Sequence, residues 1–311
     1  MILQYEYLQH YPAVFRAMTG MNLGEFEDIE AKLNNRFGEA ERGRLSRPER
    51  QRAIGGGRKF ELGVRDQMLL TIVWLRVYPT HETLGYLFGV SDSTAGRYIG
   101  RVLPLLEAVG VAEMRPPKPE GGRGRRGRPL DVLLRETPEL AVLIDTFEQR
   151  IQRPSDRTEA DSYYSGKKKQ HTLKCQVAVD EITGEIVDIA ASVRGPTADL
   201  TVLKESRLLE RLPTGVGGLG DLAYVGIRDL HPQALAATPR RKPRGKPRPA
   251  EDIAFNTAFA RRRIKVEHTI GRLRGYQALS QTDRHHRRDH TTRTRAVAGL
   301  VNHTMRCRFV H

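Results

Sequence analysis

Residues 254–276 read AFNTAFARRRIKVEHTIGRLRGY. No proline interrupts them. Phe255, Phe259, Val266, Ile270 and Leu273 recur at a helical period, which predicts a helix docked on a core along one stripe. Arg263, Glu267 and Arg274, at i, i+4 and i+11, fall together along one flank of that stripe. An acid between two arginines beside a buried face has two readings: an exposed ion-pair ladder, or a carboxylate held for chemistry.

The elements upstream supply partners for such a carboxylate. LAVLIDT, 140–146, reads as a short buried strand ending at Asp145. Residues 171–180 and 185–193 alternate as hairpin strands around the turn 181–184, and 199–212 reads as a helix. VGGLGD, 216–221, is a glycine-bearing strand that again ends in an aspartate, Asp221. PRRKPRGKPRP, 239–249, holds six basic residues and no acid, and is expected as a disordered or phosphate-tracking loop. Strands broken by helices indicate a mixed α/β sheet. Asp145, Asp221 and Glu267 therefore stand on three elements that can converge at one sheet edge. Three uncompensated carboxylates repel, and a charge at the end of a buried strand is costly unless it is paired or binds a cation. Magnesium, with its preference for oxygen ligands, removes that cost. Two such ions suit phosphodiester chemistry.

Ahead of the sheet, 64–77 is an apolar helix ended by Pro79. Residues 81–99 follow as a short helix, a bend at Gly89 and a second helix to about Leu106, with Ser91 as its N-cap. As a helix-turn-helix this segment would present Asp92, Ser93, Thr94 and Arg97 to bases; the alternative is an ordinary αα-hairpin. Leu23, Phe26, Ile29, Leu33 and Phe37 predict an earlier amphipathic helix, and 38–59, with GGGRK at 55–59, a mobile basic connection. MRPPKPEGGRGRRGRP, 114–129, is a basic linker and the expected domain boundary. The domains are thus 1–60, 61–114, the linker 115–132, and 133–311.

Lys and Arg number 52 against 37 acids, a net charge of +15. From residue 261 onward there are thirteen basic residues and three acids, so ten of those charges lie there. Nucleic acid is the first candidate partner. A membrane is the weaker reading, because no stretch approaches the ~20 apolar residues of a spanning helix. Nothing at the N-terminus reads as an export signal. Cys175 and Cys307 show no ligand or disulfide pattern, and Cys175 alternates with Leu173 and Val177 as a small core residue. The ten histidines show no zinc spacing, and His285, His286 and His290 lie in an arginine-rich loop.

LIDT, IQRP at 151–154, YYSGKKKQHTLKCQV from Tyr163, DLTVLKES from Asp199, GDLAYVG from Gly220 and RIKVEHTIGRLRG from Arg263 occur in one order. In that order they resemble the DDE transposases of bacterial insertion sequences, the insertion sequence five type, over residues 60 to 280. The resemblance implies an RNase H-like mixed sheet with flanking helices, preceded by an all-α helix-turn-helix domain. It implies Asp145, Asp221 and Glu267 as the metal-binding triad, holding two Mg2+ or Mn2+ ions. Arg263 and Glu267 match the family's Tyr-x2-Arg-x3-Glu-x6-Lys signature. Arg274 stands in place of the lysine and Ala260 in place of the tyrosine, beside Phe259. The stretch from Arg194 to Asp199 lacks a histidine often seen before the aspartate.

The expected partners are double-stranded DNA, as terminal inverted repeats and target, and further copies of the chain when two ends are synapsed. The expected location is the bacterial cytoplasm, with the nucleoid. Ser93, Thr94, Arg97, Lys167, Lys168, Arg240, Arg241, Arg263 and Arg274 are the expected DNA contacts. Two alternatives stay open: a DNA-binding descendant without activity, and a metal-dependent nuclease without strand transfer.

Overall fold

The computed structural model describes residues 3–46, 60–118 and 137–309. It divides into two compact units, Met1–Glu113 with Arg274–Ser280 and Thr292–His311, and Met114–Leu273 with Gln281–Thr291. Residues 47–59 and most of the basic linker lie outside the described residues.

The first unit is helical. Its N-terminal helices are α1 (Tyr5–Leu8), α2 (Pro12–Thr19), α3 (Leu23–Leu45), α4 (Val64–Val77), α5 (His81–Phe88) and α6 (Asp92–Glu113). Asn22 and Glu25 form a capping box that starts α3, and Arg44 donates to Glu41 in its last turns. Residues 38–45, expected within a mobile connection, therefore continue the helix. Helix α4 is buried all round from Gln67 to Leu75, with Met68, Leu69, Leu70, Ile72, Val73 and Leu75 fully buried, so it forms the unit's centre. Thr80 caps α5 and Ser91 caps α6 through the Thr94 amide at 3.1 Å. Between these helices Gly89 has φ +68°, a conformation only glycine adopts without strain. Helix α6 runs well past Leu106, because Leu103, Leu106 and Gly110 keep its buried face continuous.

The second unit is built on a seven-stranded sheet. Its elements are β1 (Leu140–Arg150), α7 (Arg157–Tyr163), β2 (Tyr164–Ser165), β3 (Gln170–Asp180), β4 (Ile186–Ile189), β5 (Val193–Arg194), α8 (Asp199–Ser206), β6 (Val216–Leu219), α9 (Ile227–Leu230), β7 (Ala236–Ala237) and α10 (Ala250–Arg274). Strand β3 is antiparallel to β1, β2, β4 and β5, while β6 runs parallel to both β1 and β7. Val142 and Ile144 of β1 pack with Ala178, Leu203, Val216, Tyr224 and Ile227 in its core. This is the mixed α/β sheet with flanking helices that the sequence implies.

Three boundaries differ from the reading. Strand β1 does not stop at Asp145 but pairs with β3 as far as Arg150 opposite Thr172, because Phe147 and Gln149 continue the buried alternation. The expected strand 185–193 is split into β4 and β5, and the expected helix 199–212 breaks at Arg207, which has φ +51°. Leu209–Arg211 beyond it is a separate 3-10 turn.

The final helix, α11 (His290–Phe309), belongs from Thr292 onward to the helical unit, where the reading kept 133–311 whole. It meets α6 at Gly110 and Gly299. A Cβ built on Gly110 would stand 2.7 Å from the Gly299 Cα. Gly110→Ala gains about 1 kcal/mol of helix propensity but overpacks backbone against backbone, a cost of about 1–3 kcal/mol. The clash is with main chain that cannot rotate away, so we expect net destabilisation in urea unfolding. Gly38→Ala on α3 meets only the Arg42 guanidinium at 3.7 Å. It should instead stabilise by about 0.5–1 kcal/mol. A stabilised Gly110→Ala would mean that α6 and α11 do not cross at these glycines.

Candidate active site

Asp145 sits within β1, its side chain 23% exposed. Its Oδ1 accepts the Thr146 amide at 2.8 Å, and its Oδ2 accepts from Arg263 Nη2 at 3.2 Å. Burial raises its pKa above the usual carboxylate range. Arg263 and the Thr146 amide work against that, while Asp221 and Asp199 push in the same direction as burial. Asp145 and Asp221 thus share one electrostatic neighbourhood. Asp221 follows β6 and accepts the Ala223 amide at 2.9 Å, capping the 3-10 turn Leu222–Tyr224. It has no ion-pair partner among the described residues.

Asp199, which the sequence reading did not single out as a site residue, is the third member of the cluster. It begins α8, and its Oδ1 accepts Lys174 Nζ at 2.6 Å and Thr146 Oγ1 at 3.1 Å. Its sequence signal was an aspartate at a helix start after Gly195-Pro196. Tyr224, from the GDLAYVG stretch, is fully buried beside the same acids. Burial and the charges of Asp199, Asp145 and Asp221 drive its pKa far upward, so the phenol stays protonated. Its hydroxyl and Arg263 Nε are buried without a hydrogen-bond partner.

Helix α10 is fixed across this sheet by its basic residues. Arg262 donates to both Glu181 oxygens at 2.5 and 2.6 Å, to Thr137 Oγ1 at 2.7 Å and to the Pro138 carbonyl at 3.0 Å. Thr269 bonds the Gly184 carbonyl, and Lys265 the Ile182 carbonyl. Phe255, Phe259, Val266 and Leu273 are buried as expected, while Ile270 is half-buried. Arg263 is buried as well and donates to the Ile144 carbonyl besides Asp145. Expected to face phosphates, it instead compensates a carboxylate. An Arg263–Glu267 ladder is therefore not formed.

Glu267 is exposed one turn beyond Arg263 and has no ion-pair partner among the described residues. The structure does not draw it into the aspartate cluster. It lines an open groove of about 540 Å³ with Arg248, Asn256, Thr257, Ala260, Arg261 and Ile264.

The acids carry an excess of negative charge. Among the described residues, Asp145 pairs with Arg263 and Asp199 with Lys174, Asp221 has no ion-pair partner, and burial works against ionised Asp145. Oxygen ligands with a charge deficit are what Mg2+ or Mn2+ would satisfy.

The remaining expected DNA contacts are scattered. Ser93 and Arg97 are exposed on the first turns of α6, where Arg97 donates to the Ser93 carbonyl at 3.1 Å and to its Oγ at 3.2 Å. Thr94 is half-buried beneath the Ser91 cap. Lys167 and Lys168 are exposed in the turn from β2 to β3, and Arg274 is exposed at the end of α10. Arg240 pairs with Asp252 at 2.8 Å and covers the Phe255 ring, whereas Arg241 is exposed. The loop 239–249 is thereby anchored to α10 at its first arginine. No helix among the described residues is long and apolar enough to cross a membrane.

Comparison with known proteins shows the family of the chain. Residues 144–302, just over half of the chain, match the family described as DDE superfamily endonuclease. Residues 60–111 match the helix-turn-helix of DDE superfamily endonuclease. The probable transposase for insertion sequence element IS702 of Microchaete diplosiphon is 29% identical over 251 residues, 80% of this chain and 83% of that protein. No solved structure matches.

Arg263 gives this site a test. It favours ionised Asp145, so Arg263→Met should raise the carboxyl pKa further. Mn2+ needs the ionised form, so the pH at which half of the Mn2+ affinity is lost should move upward in the variant. Calorimetric titrations across a pH series would measure it. An unmoved midpoint would uncouple Arg263 from cation binding.

Proposed function

The chain belongs to the DDE superfamily of endonucleases, and on that premise we propose that it is a transposase. It binds the terminal repeats of an insertion sequence, hydrolyses a phosphodiester at each end and joins the released 3′-hydroxyl to target DNA. The observation that carries this reading is the electrostatic closeness of Asp145, on β1, to Asp221, just past the neighbouring β6, inside the span matched by the endonuclease family. The matched helix-turn-helix and the similarity to a probable transposase support the transfer step over simple nucleolysis.

In this reading Asp145, Asp221 and Glu267 hold two Mg2+ or Mn2+ ions. When bound, the cations would activate the attacking oxygen and stabilise the leaving one. The protein's own part is orientation and charge. Arg263 favours the ionised form of Asp145 against burial, Lys174 holds Asp199, and the Arg262 network fixes the register of α10 and hence of Glu267. Lys167, Lys168, Arg241 and Arg274 contact the backbone, while Ser93, Thr94 and Arg97 contact the terminal repeat. Two ends must be held together, so the active form is a homo-oligomer acting on DNA in the bacterial cytoplasm.

Glu267→Gln tests the enzyme. The side chain is exposed and unpaired, so folding and repeat binding should be unchanged. A neutral amide is a poor ligand for a hard cation. Release of 3′ ends from a labelled repeat duplex in Mg2+ should fall by about a hundredfold or more, the upper end of what even an outer-shell partner contributes. Joined products on a target plasmid should disappear with it. Wild-type cleavage by the variant would remove Glu267 from the site, and cleavage without joining by the wild type would reduce the protein to a nuclease.

Arg97→Ala tests the reader. It should cost about 1–3 kcal/mol in gel-shift affinity for the terminal repeat and less on random duplex. Equal loss on both would make Arg97 a phosphate contact.

A further inference from the structure

A metal-ligating constellation lies within the helical unit and is independent of the proposed transposition. Asp28 of α3 and His303 and Cys307 of α11 bring their ligand atoms within 4.8 Å of one another. His303 Nε2 is 3.7 Å from Cys307 Sγ and 3.9 Å from Asp28 Oδ2. One ring nitrogen makes both approaches, and its carboxylate contact is too long for a good hydrogen bond. Deprotonated, the nitrogen could accept from the thiol but would be repelled by the carboxylate. Protonated, it could serve only one of them well.

A tetrahedral ion explains the spacing better. With zinc bonds of about 2.0–2.3 Å, neighbouring ligand atoms stand about 3.3–3.6 Å apart. The 3.7 Å His303–Cys307 approach is already close to that spacing, and the 3.9 Å His303–Asp28 approach must close by roughly half an ångström. The histidine and cysteine sit at i and i+4 on one helical face, and the imidazole is 6% exposed. A backbone hydrogen bond with Glu25 also acts on the ring, the kind of second partner that fixes the tautomer of a metal-bound histidine. Asp28, 65% exposed, stands at the mouth and leaves a path for the ion. The nearby Lys32 ammonium opposes a cation but is paired with Glu113 at 2.6 Å.

We propose that Asp28, His303 and Cys307 form a zinc site that clamps α11 to α3, with water in the fourth position. Binding forms the sulfur–metal bond and releases the thiol proton to solvent. Neither helix carries a ligand set alone, since His303 and Cys307 need an oxygen from the other end of the chain.

The test uses the full chain, chelator-treated and kept reduced, titrated with cobalt(II) as a spectroscopic stand-in. A thiolate-to-cobalt charge-transfer band and the intense visible bands of a tetrahedral ion are expected, bleached on adding zinc. The acidic cluster has no thiolate and cannot give that band. Cys307→Ser should abolish it, and Asp28→Asn, at an exposed position where folding is safe, should weaken cobalt binding by about tenfold or more. Zinc should raise the Tm of the wild type by more than that of Asp28→Asn. A wild type without the band, a band that survives Cys307→Ser, or an unchanged affinity in Asp28→Asn would overturn the site.

Discussion

A carboxylate in the middle of a sheet strand is the constraint around which the catalytic unit is arranged. Asp145 is held where it stands, because β1 is paired with β3 at this position and Ile144 and Phe147 on either side are buried, so its side chain keeps only partial exposure. Its charge must be compensated where it stands. Arg263 supplies part of that compensation, and it can do so only because α10 lies in one register across the sheet. The remainder stays unmet, and that deficit makes the site receptive to a cation. A fully neutralised Asp145 would give a calmer apo protein and a weaker metal ligand.

The register of α10 in turn rests on Arg262 rather than on Arg263. Arg262 joins Glu181 in the β3–β4 turn to Thr137 and Pro138 at the entry to β1, so a single guanidinium ties the helix to two strands. Its planar fork suits that bidentate task as a lysine would not. The three consecutive arginines therefore divide their work: Arg261 lines the groove, Arg262 docks the helix, and Arg263 serves the buried acid.

Much of this was legible in the sequence. Helix α4 and the paired helices α5 and α6 follow from apolar periodicity, caps and the glycine bend, all local signals. Asp145, Asp221 and Glu267 were singled out because they fall on two strands and a helix in an order that resembles a known family, although β1 runs on past Asp145 to Arg150. Asp199 and Tyr224 were not. Asp199 matters because Thr146 of β1 and Lys174 of β3, two positions apart in the ladder, both reach it, and Tyr224 because it is buried beside the same acids; register between distant segments leaves no mark in either one. The burial of Arg263 was hidden for the opposite reason, since a charge beside an apolar stripe reads as solvent-facing until a buried acid is known to lie beneath it. Asp28 likewise shows no relation to His303 and Cys307 until α3 and α11 are packed.

That packing also sets an order of events in the cell. Chains fold domain by domain as they leave the ribosome, N-terminal parts first. Here the helical unit takes in residues from Thr292 onward, so the face of α6 at Gly110 stays bare until α11 has been synthesised. The sheet unit, whose strands all precede α10, has its segments in hand earlier. The helical unit is thus completed after the sheet unit. A fragment cut off at Glu113 would lack a wall of its own core.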